Sequence, residues 1–564
     1  MTEALALLSN SLTDLEGVVD YKQRRIPLRS KRNTGGWRSA SFIIGVEIAE
    51  RFAYYGISSN LITFLTSHLI GESIAVAAQN VNLWSGAASM FPLIGAFVAD
   101  EYLGRYRTIL ISSILYVMGL GLLTISALLP SSTSPELRII LFFSSLYIVA
   151  IGQGGHKPCV QAFGADQFDG QDPEESKSKS SFFNWWYFGL CGGTAISLWT
   201  LNYIQDNLSW GLGFGIPCIS MVASLVVFLL GTKTYRYSFR DDKGSPFVSV
   251  FQVYVAAIRN WRGTPPSAIV VEEATESYPT VGGHQFKFLD KALLTSSDCL
   301  DDSKKDWKVC TIDQVEEAKS ILRLVPIWAT CLIYAVVFAQ SSTFFTKQGN
   351  TMDRSIGSNI KVPAATLQTF ISMSIVIFIP IYDRVFVPIA RVISGNPSGI
   401  TMLQRIGFGM FLSMISMVTA ALVEKRRLQV ALDFGLLDLP KAVIPMKAWW
   451  LIPQYILFGI ADVFTMVGLQ EFFYDQVPDT LRSLGLALYL SIFGIGNFIS
   501  SFLISVIENV TGGSGRDSWF SDNLNRAHLD YFYWLLAGFS LLEIFAYLYF
   551  AKSYFYNRGS SSKV

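Results

Sequence analysis

The chain has 564 residues, of which 51% are hydrophobic, 14% aromatic and only 15% charged, with a formal net charge of +1. A soluble domain carries about 25% charged residues, so this composition, with a mean hydropathy of +0.38, points to a chain whose solvent is lipid. The near-zero net charge gives no sign of a nucleic-acid partner, and the scattered histidines and cysteines form neither a CxxC nor a metal-ligand spacing.

Residues 1–41 read as a cytosolic tail. Lys22, Arg24, Arg25, Arg29, Lys31, Arg32 and Arg38 precede the first long apolar run, and no signal-peptide pattern is visible. Near its start, EALALL sets Glu3, Leu7 and Leu8 in the acidic dileucine pattern [DE]xxxL[LI]. On a cytosolic tail this resembles a sorting signal to the vacuole, so a multi-pass protein of the vacuolar membrane is expected, with the plasma membrane as the alternative.

Twelve runs are long and apolar enough to span a bilayer as helices. The first six fall at 42–66, 77–99, 107–129, 138–161, 182–204 and 209–231, and the second six at 321–343, 364–388, 401–423, 449–472, 483–507 and 530–551. The polar, basic segment 232–320 separates the sets, and 552–564 forms a second cytosolic tail. These features predict an all-α membrane protein with a six-helix bundle at 42–231, a cytosolic linker and a second bundle at 321–551. This is the layout of a major facilitator transporter.

The first run carries Glu47, Glu50 and Arg51, ionisable groups that each cost about 2.5–3.5 kcal/mol at a bilayer centre. At i, i+3 and i+4 they cover about 100° of one helix face, and Tyr54 follows on the same stripe. One guanidinium cannot neutralise two carboxylates, so at least one glutamate has reason to bind a proton. The group then senses whatever else binds near Arg51.

After the second run, GAFVADEYLGRYR places Gly95, Asp100, Gly104 and Arg105 in the order of the major-facilitator loop motif, a gating element. After the eighth, IPIYDRVFVPIAR offers a degenerate copy with Asp383, Arg384 and Arg391, as duplicated halves would retain. The fourth run contains GQGGHKPCVQAFGADQF, in which Lys157 precedes a helix-bending Pro158 and needs an anionic partner or a watery cavity. Asp462, in QYILFGIADVFTMVG of the tenth run, is the obvious complement, and a salt bridge between them is predicted to gate the cavity. Gln340, at the end of the seventh run, is a further lining residue.

Together these segments resemble the proton-coupled oligopeptide transporter family, in its plant nitrate/peptide branch. Glu47-x-x-Glu50-Arg51 followed by FAYYG fits the family's first-helix motif, and GQGGHKPCVQAFGADQFD fits its fourth-helix motif. SFFNWWYFG fits the fifth-helix signature and QEFFYDQVPDTLRSLG the tenth-to-eleventh-helix motif. The resemblance implies that Glu47, Glu50 and Arg51 couple transport to protons, with no other cofactor, and that Lys157 faces the substrate cavity and pairs across to the tenth helix. There the family commonly has Glu where this chain has Asp462. The seventh-helix His of a nitrate carrier of the branch falls near Phe338.

A substrate site of Arg51, Lys157, Asp462, Tyr54, Phe338 and Gln340 follows. The expected function is proton-coupled symport of nitrate by alternating access, not enzymatic catalysis. The alternatives are a di- or tripeptide symporter, a plant hormone or glucoside carrier, or an uncoupled facilitator or sensor. The partners are a small anion or short peptide and the lipid bilayer. The expected state is a monomer, with a dimer as the alternative.

Overall fold

The computed structural model describes residues 14–27, 33–130, 133–169, 172–238, 246–261, 286–293, 310–357, 360–394, 400–478, 481–512 and 517–554. The Glu3, Leu7 and Leu8 motif and much of the 232–320 linker lie outside the described residues.

All twelve apolar runs fall on helices. The first six are α1 (Gly36–Ser58), α2 (Ile74–Val98), α3 (Arg105–Leu128), α4 (Pro135–Ala165), α5 (Pro173–Asn207) and α6 (Trp210–Leu230). The seventh run is broken into α7 (Ile312–Thr330) and α8 (Leu332–Ala339), and the eighth is centred on α9 (Thr369–Ile381). The last four are α10 (Met402–Asp433), α11 (Ile452–Asp475), α12 (Arg482–Thr511) and α13 (Leu529–Lys552). Among the described residues, nine helices are long and apolar enough to cross a bilayer, and the seventh run, bent by 46°, makes a tenth. The remaining two, α1 and α5, fall below that standard, α1 carrying Glu47, Glu50 and Arg51 and α5 opening on a polar stretch that includes Lys177 and Lys179.

Local chemistry sets where these helices start. Ser134 and Ser209 accept from the backbone N–H of Leu137 and Leu212, satisfying first-turn donors. Thr311 with Gln314, and Thr401 with Gln404, form reciprocal capping boxes at α7 and α10.

In the first half α1 packs on α5 and α6, α2 on α4, and α3 on α4 and α6. In the second, α10 packs on α11 and α13, α9 on α11, and α8 on α12, while α2 against α12 joins the halves.

Further bonds join the halves at the end remote from the linker. Thr366 Oγ1 donates to the Leu198 carbonyl at 2.8 Å, Gln368 Nε2 to the Ser59 carbonyl at 3.0 Å and Lys347 Nζ to Thr66 Oγ1 at 2.6 Å. Asp522 accepts from the Ile74 amide at 2.8 Å, and Arg354 lies 3.7 Å from Asp206. This end is closed.

At the linker end, β1 (Asp14–Val19) pairs antiparallel with β2 (Arg25–Pro27) and with β3 (Tyr237–Ser238). The neighbouring Arg236 is buried, donating to Glu175 at 2.7 Å and to the carbonyls of Gln167 and Thr34. The N-terminal segment is thereby stapled to the start of the linker.

Candidate functional site

The helical spacing on α1 does place its charges together. Arg51 Nε lies 3.3 Å from Glu47 Oε1, and the guanidinium also pairs with Glu50. All three side chains are buried, and one oxygen of each carboxylate (Glu47 Oε2, Glu50 Oε1) has no hydrogen-bond partner among the described residues. Tyr54 completes the stripe, with Arg51 5.2 Å from its ring centre. The opposite side of Tyr54's surroundings is fixed by Trp84 of α2, whose ring stacks on it at 5.7 Å and whose Nε1 is anchored to the Leu146 carbonyl.

The fourth-helix segment reaches this cluster because glycines let α4 come close to α2 and α3. A Cβ on Gly155 would lie 2.1 Å from Ser112 Oγ, and one on Gly152 2.8 Å from the Tyr116 amide nitrogen. Pro158 has no N–H to offer the Gly154 carbonyl four residues earlier, and it is this oxygen that packs on Gly95, 2.2 Å from where a Cβ would stand. Gly95 is therefore a helix-contact residue inside α2, not part of the loop it was expected to mark. Asp100 is helical too, exposed on the turn Ala99–Leu103 that prolongs α2, so the connection narrows to Gly104, which turns the chain at φ +75° before Arg105 opens α3 and pairs with Asp166 at the end of α4.

Lys157 is half-buried and follows His156, whose ring lies against Glu47 and Glu50. The predicted Lys157–Asp462 salt bridge is not formed, and Lys157 has no carboxylate within 4.0 Å among the described residues. Asp462 instead accepts a hydrogen bond from the Tyr334 hydroxyl of α8, within its own half. An aspartate, one methylene shorter than the family's glutamate, is met by a donor that the seventh helix already supplies.

The other two expected lining residues are committed to packing. Phe338 sits between Phe458 and Phe493, with ring centres at 5.7 and 5.3 Å. Gln340 is fully buried and donates to the Val336 carbonyl and to Ser500 Oγ of α12 at 2.8 and 3.1 Å.

Sequence reasoning passed over two groups here. His156, set aside as one of four scattered histidines, is fully buried against Glu47 and Glu50. Its signal was its position beside Lys157. Tyr334 carried none: it is one aromatic residue in an apolar run.

Twelve apolar runs on helices, two sets of helices joined along α2 and α12, and a buried charge cluster on α1 define a membrane transporter of the major facilitator type. The profile described as "POT family" (PTR2) matches residues 106–520. The chain is 63% identical over 553 residues to Protein NRT1/ PTR FAMILY 5.10 of Arabidopsis thaliana, covering 96% of this chain and 97% of that relative. It is 55% identical over 570 residues to Protein NRT1/ PTR FAMILY 5.12 of the same plant, covering 98% of each. Among solved structures, an auto-inhibited POT family peptide transporter superposes with a TM-score of 0.71 at 23% identity, over 93% of this chain and 98% of that one. The POT family transporter PepTSo gives 0.69 at 22%, over 92% and 98%. The chain belongs to the POT family, and it is a transporter rather than an enzyme.

Proposed function

We propose that the chain is a proton-coupled nitrate symporter of the vacuolar membrane. The observation that carries this reading is that Lys157, next to the His156 that lies against Glu47 and Glu50, has no carboxylate within 4.0 Å among the described residues, while Asp462 accepts from Tyr334. A small anion needs cationic N–H donors and no receiving carboxylate. A peptide needs a carboxylate for its amino terminus, and here one oxygen of Asp462 already accepts the Tyr334 hydroxyl.

In this reading a proton on Glu47 or Glu50 loosens that carboxylate from Arg51, and the guanidinium turns to the anion beside Lys157. Release of the proton restores the buried ion pair and expels the anion. Closure at the far end directs exchange to the linker end, which positive-inside charge assigns to the cytosol. Because the vacuolar lumen is acidic, symport runs from vacuole to cytosol, and the Glu3, Leu7 and Leu8 motif supplies the address.

The test is uptake of isotopic nitrate into proteoliposomes containing the full chain, with an imposed proton gradient and again after a protonophore. Gradient-dependent accumulation supports the reading. Accumulation of a dipeptide but not nitrate replaces the substrate, and uptake indifferent to the protonophore removes the coupling.

A further inference from the structure

We propose that His156 is a third proton-binding group of the Glu47–Glu50–Arg51 site, sharing its proton with the two carboxyls. This deepens the proton-coupled reading above and rests on it for its role in transport.

A ring nitrogen of His156 and one carboxylate oxygen from each of Glu47 and Glu50 all lie within 4.8 Å of one another. His156 is fully buried, and neither Nδ1 nor Nε2 has a hydrogen-bond partner among the described residues. The same holds for Glu47 Oε2 and Glu50 Oε1. A buried polar atom left unpaired costs about 1–3 kcal/mol, and both ring nitrogens of His156 and one oxygen of each glutamate are in that position. A neutral imidazole offers one donor and one acceptor, so a protonated carboxyl can donate its O–H to the ring nitrogen that lies near both glutamates.

The groups facing His156 are those that a proton there would sense. From α1 come Glu47, Glu50 and Arg51, and the packed α3 carries Tyr116, whose buried hydroxyl has no partner among the described residues. Lys157 follows on its own helix. The α2 sequence from Ile74 to Val98 holds no titratable side chain, and α5 between Lys179 and Asp206 holds no charged one, only Tyr187, Cys191 and Tyr203. The two carboxylates draw a proton to this place, while Arg51, which pairs with both of them, and Lys157, the next residue on α4, oppose it, so the site holds few protons at once.

The exchange is balanced: the proton leaves a glutamate Oε for a ring nitrogen, the carboxyl becomes carboxylate and the imidazole becomes imidazolium. Net charge does not change, but the freed carboxylate can re-pair with Arg51 while the proton stays in the site. His156 thus gives the cluster a place to hold a proton when Arg51 is drawn to substrate or returned from it.

The experiment uses the full chain in lipid nanodiscs without substrate. The infrared band of the protonated carboxyl, assigned by its loss in Glu47→Gln or Glu50→Gln, is followed against pH in wild type, His156→Asn and His156→Gln. The midpoint is expected to shift by about one pH unit in both His156 variants. In wild-type protein carrying 15N-imidazole, the His156 resonance is expected to titrate across the same range. An unshifted band in both variants, or a His156 resonance constant from about pH 4 to 9, overturns the proposal, and the wild-type resonance decides alone if the variants do not fold. Uptake that ignores the protonophore while the band shifts removes the coupling and leaves the shared proton. Coupled uptake with an unshifted band removes His156 and leaves the coupling.

Discussion

The carboxylate of Glu543 on α13 accepts a hydrogen bond of 2.9 Å from the backbone amide of Tyr334, the residue whose hydroxyl is bonded to Asp462 on α11. Tyr334 therefore ties three helices together at the point where the seventh span breaks, between Thr330 and Leu332. A helix start leaves first-turn N–H groups without intrahelical acceptors, and Glu543, buried among lipid-embedded helices, supplies one. Its place is that of a cap contributed by a neighbouring helix.

Replacing Glu543 with Ala is expected to leave that N–H unpaired and to lower stability by about 1–3 kcal/mol. Glu543→Gln keeps an acceptor oxygen and is expected to recover most of the loss. Thermal unfolding of the purified variants checks both, and equal destabilisation by Ala and Gln would show that charge matters here rather than capping.

Lys157→Gln removes a half-buried cation that breaks no ion pair within 4.0 Å. Deleting one member of a buried pair is strongly destabilising, but an unpaired cation carries an uncompensated desolvation penalty. The melting temperature is therefore expected to hold or rise, while KM for nitrate increases by at least about tenfold, the equivalent of one charged hydrogen bond. Lys157→Arg should retain part of the affinity. A fall in stability with unchanged KM would make Lys157 a structural residue.

Gly95→Ala and Gly104→Ala separate two uses of glycine. At Gly95 the new methyl meets the Gly154 carbonyl at 2.2 Å, so α2 and α4 must part, with an expected loss of about 1–3 kcal/mol and impaired transport through the displaced His156 and Lys157. At Gly104 there is open space but φ is +75°, so the strain is expected to be about 1 kcal/mol with transport kept. Melting curves and nitrate uptake on the same preparations distinguish them.

The far-end contact between Lys447 Nζ and Asp353 Oδ2, at 2.7 Å, supplies an internal control for pH. The hydrogen bond from Lys447, with two more from Ser355, holds the Asp353 carboxyl well below the usual carboxylate range. A carboxyl shifted down contributes stability above its ordinary value of about 3.9 and loses it only as pH falls through the folded value. Between about pH 5 and 7.5 the contact is therefore constant, and in this exposed setting it contributes at most about 1 kcal/mol. Asp353→Asn should leave the pH profile of uptake unchanged. A displaced profile would place part of the pH response outside the α1 cluster.

What could be read from sequence was local. Glu47, Glu50 and Arg51 sit at fixed helical offsets, so their pairing follows from the spacing alone and is present as expected. The twelve apolar runs are legible for the same reason, since length and hydropathy are properties of each segment. Lys157 and Asp462 were matched by sign and depth, which says nothing about a nearer donor, and Tyr334 claims Asp462 from within the second half. The break at Cys331 is equally hidden, because neither glycine nor proline marks it; Pro326 lies five residues earlier inside a continuing helix. Gln340 and Gly95 look available in a one-dimensional reading, and each is spent on a helix contact that only the packed bundle reveals.

The strand pairing of Val18 and Val19 with Ser238 and Tyr237 also sets the length of a leash. From Leu8 to the first residue of β1, Asp14, the chain has six residues, which fully extended reach only about 20 Å. Any partner that grips Leu7 and Leu8 must therefore come to within that distance of the sheet.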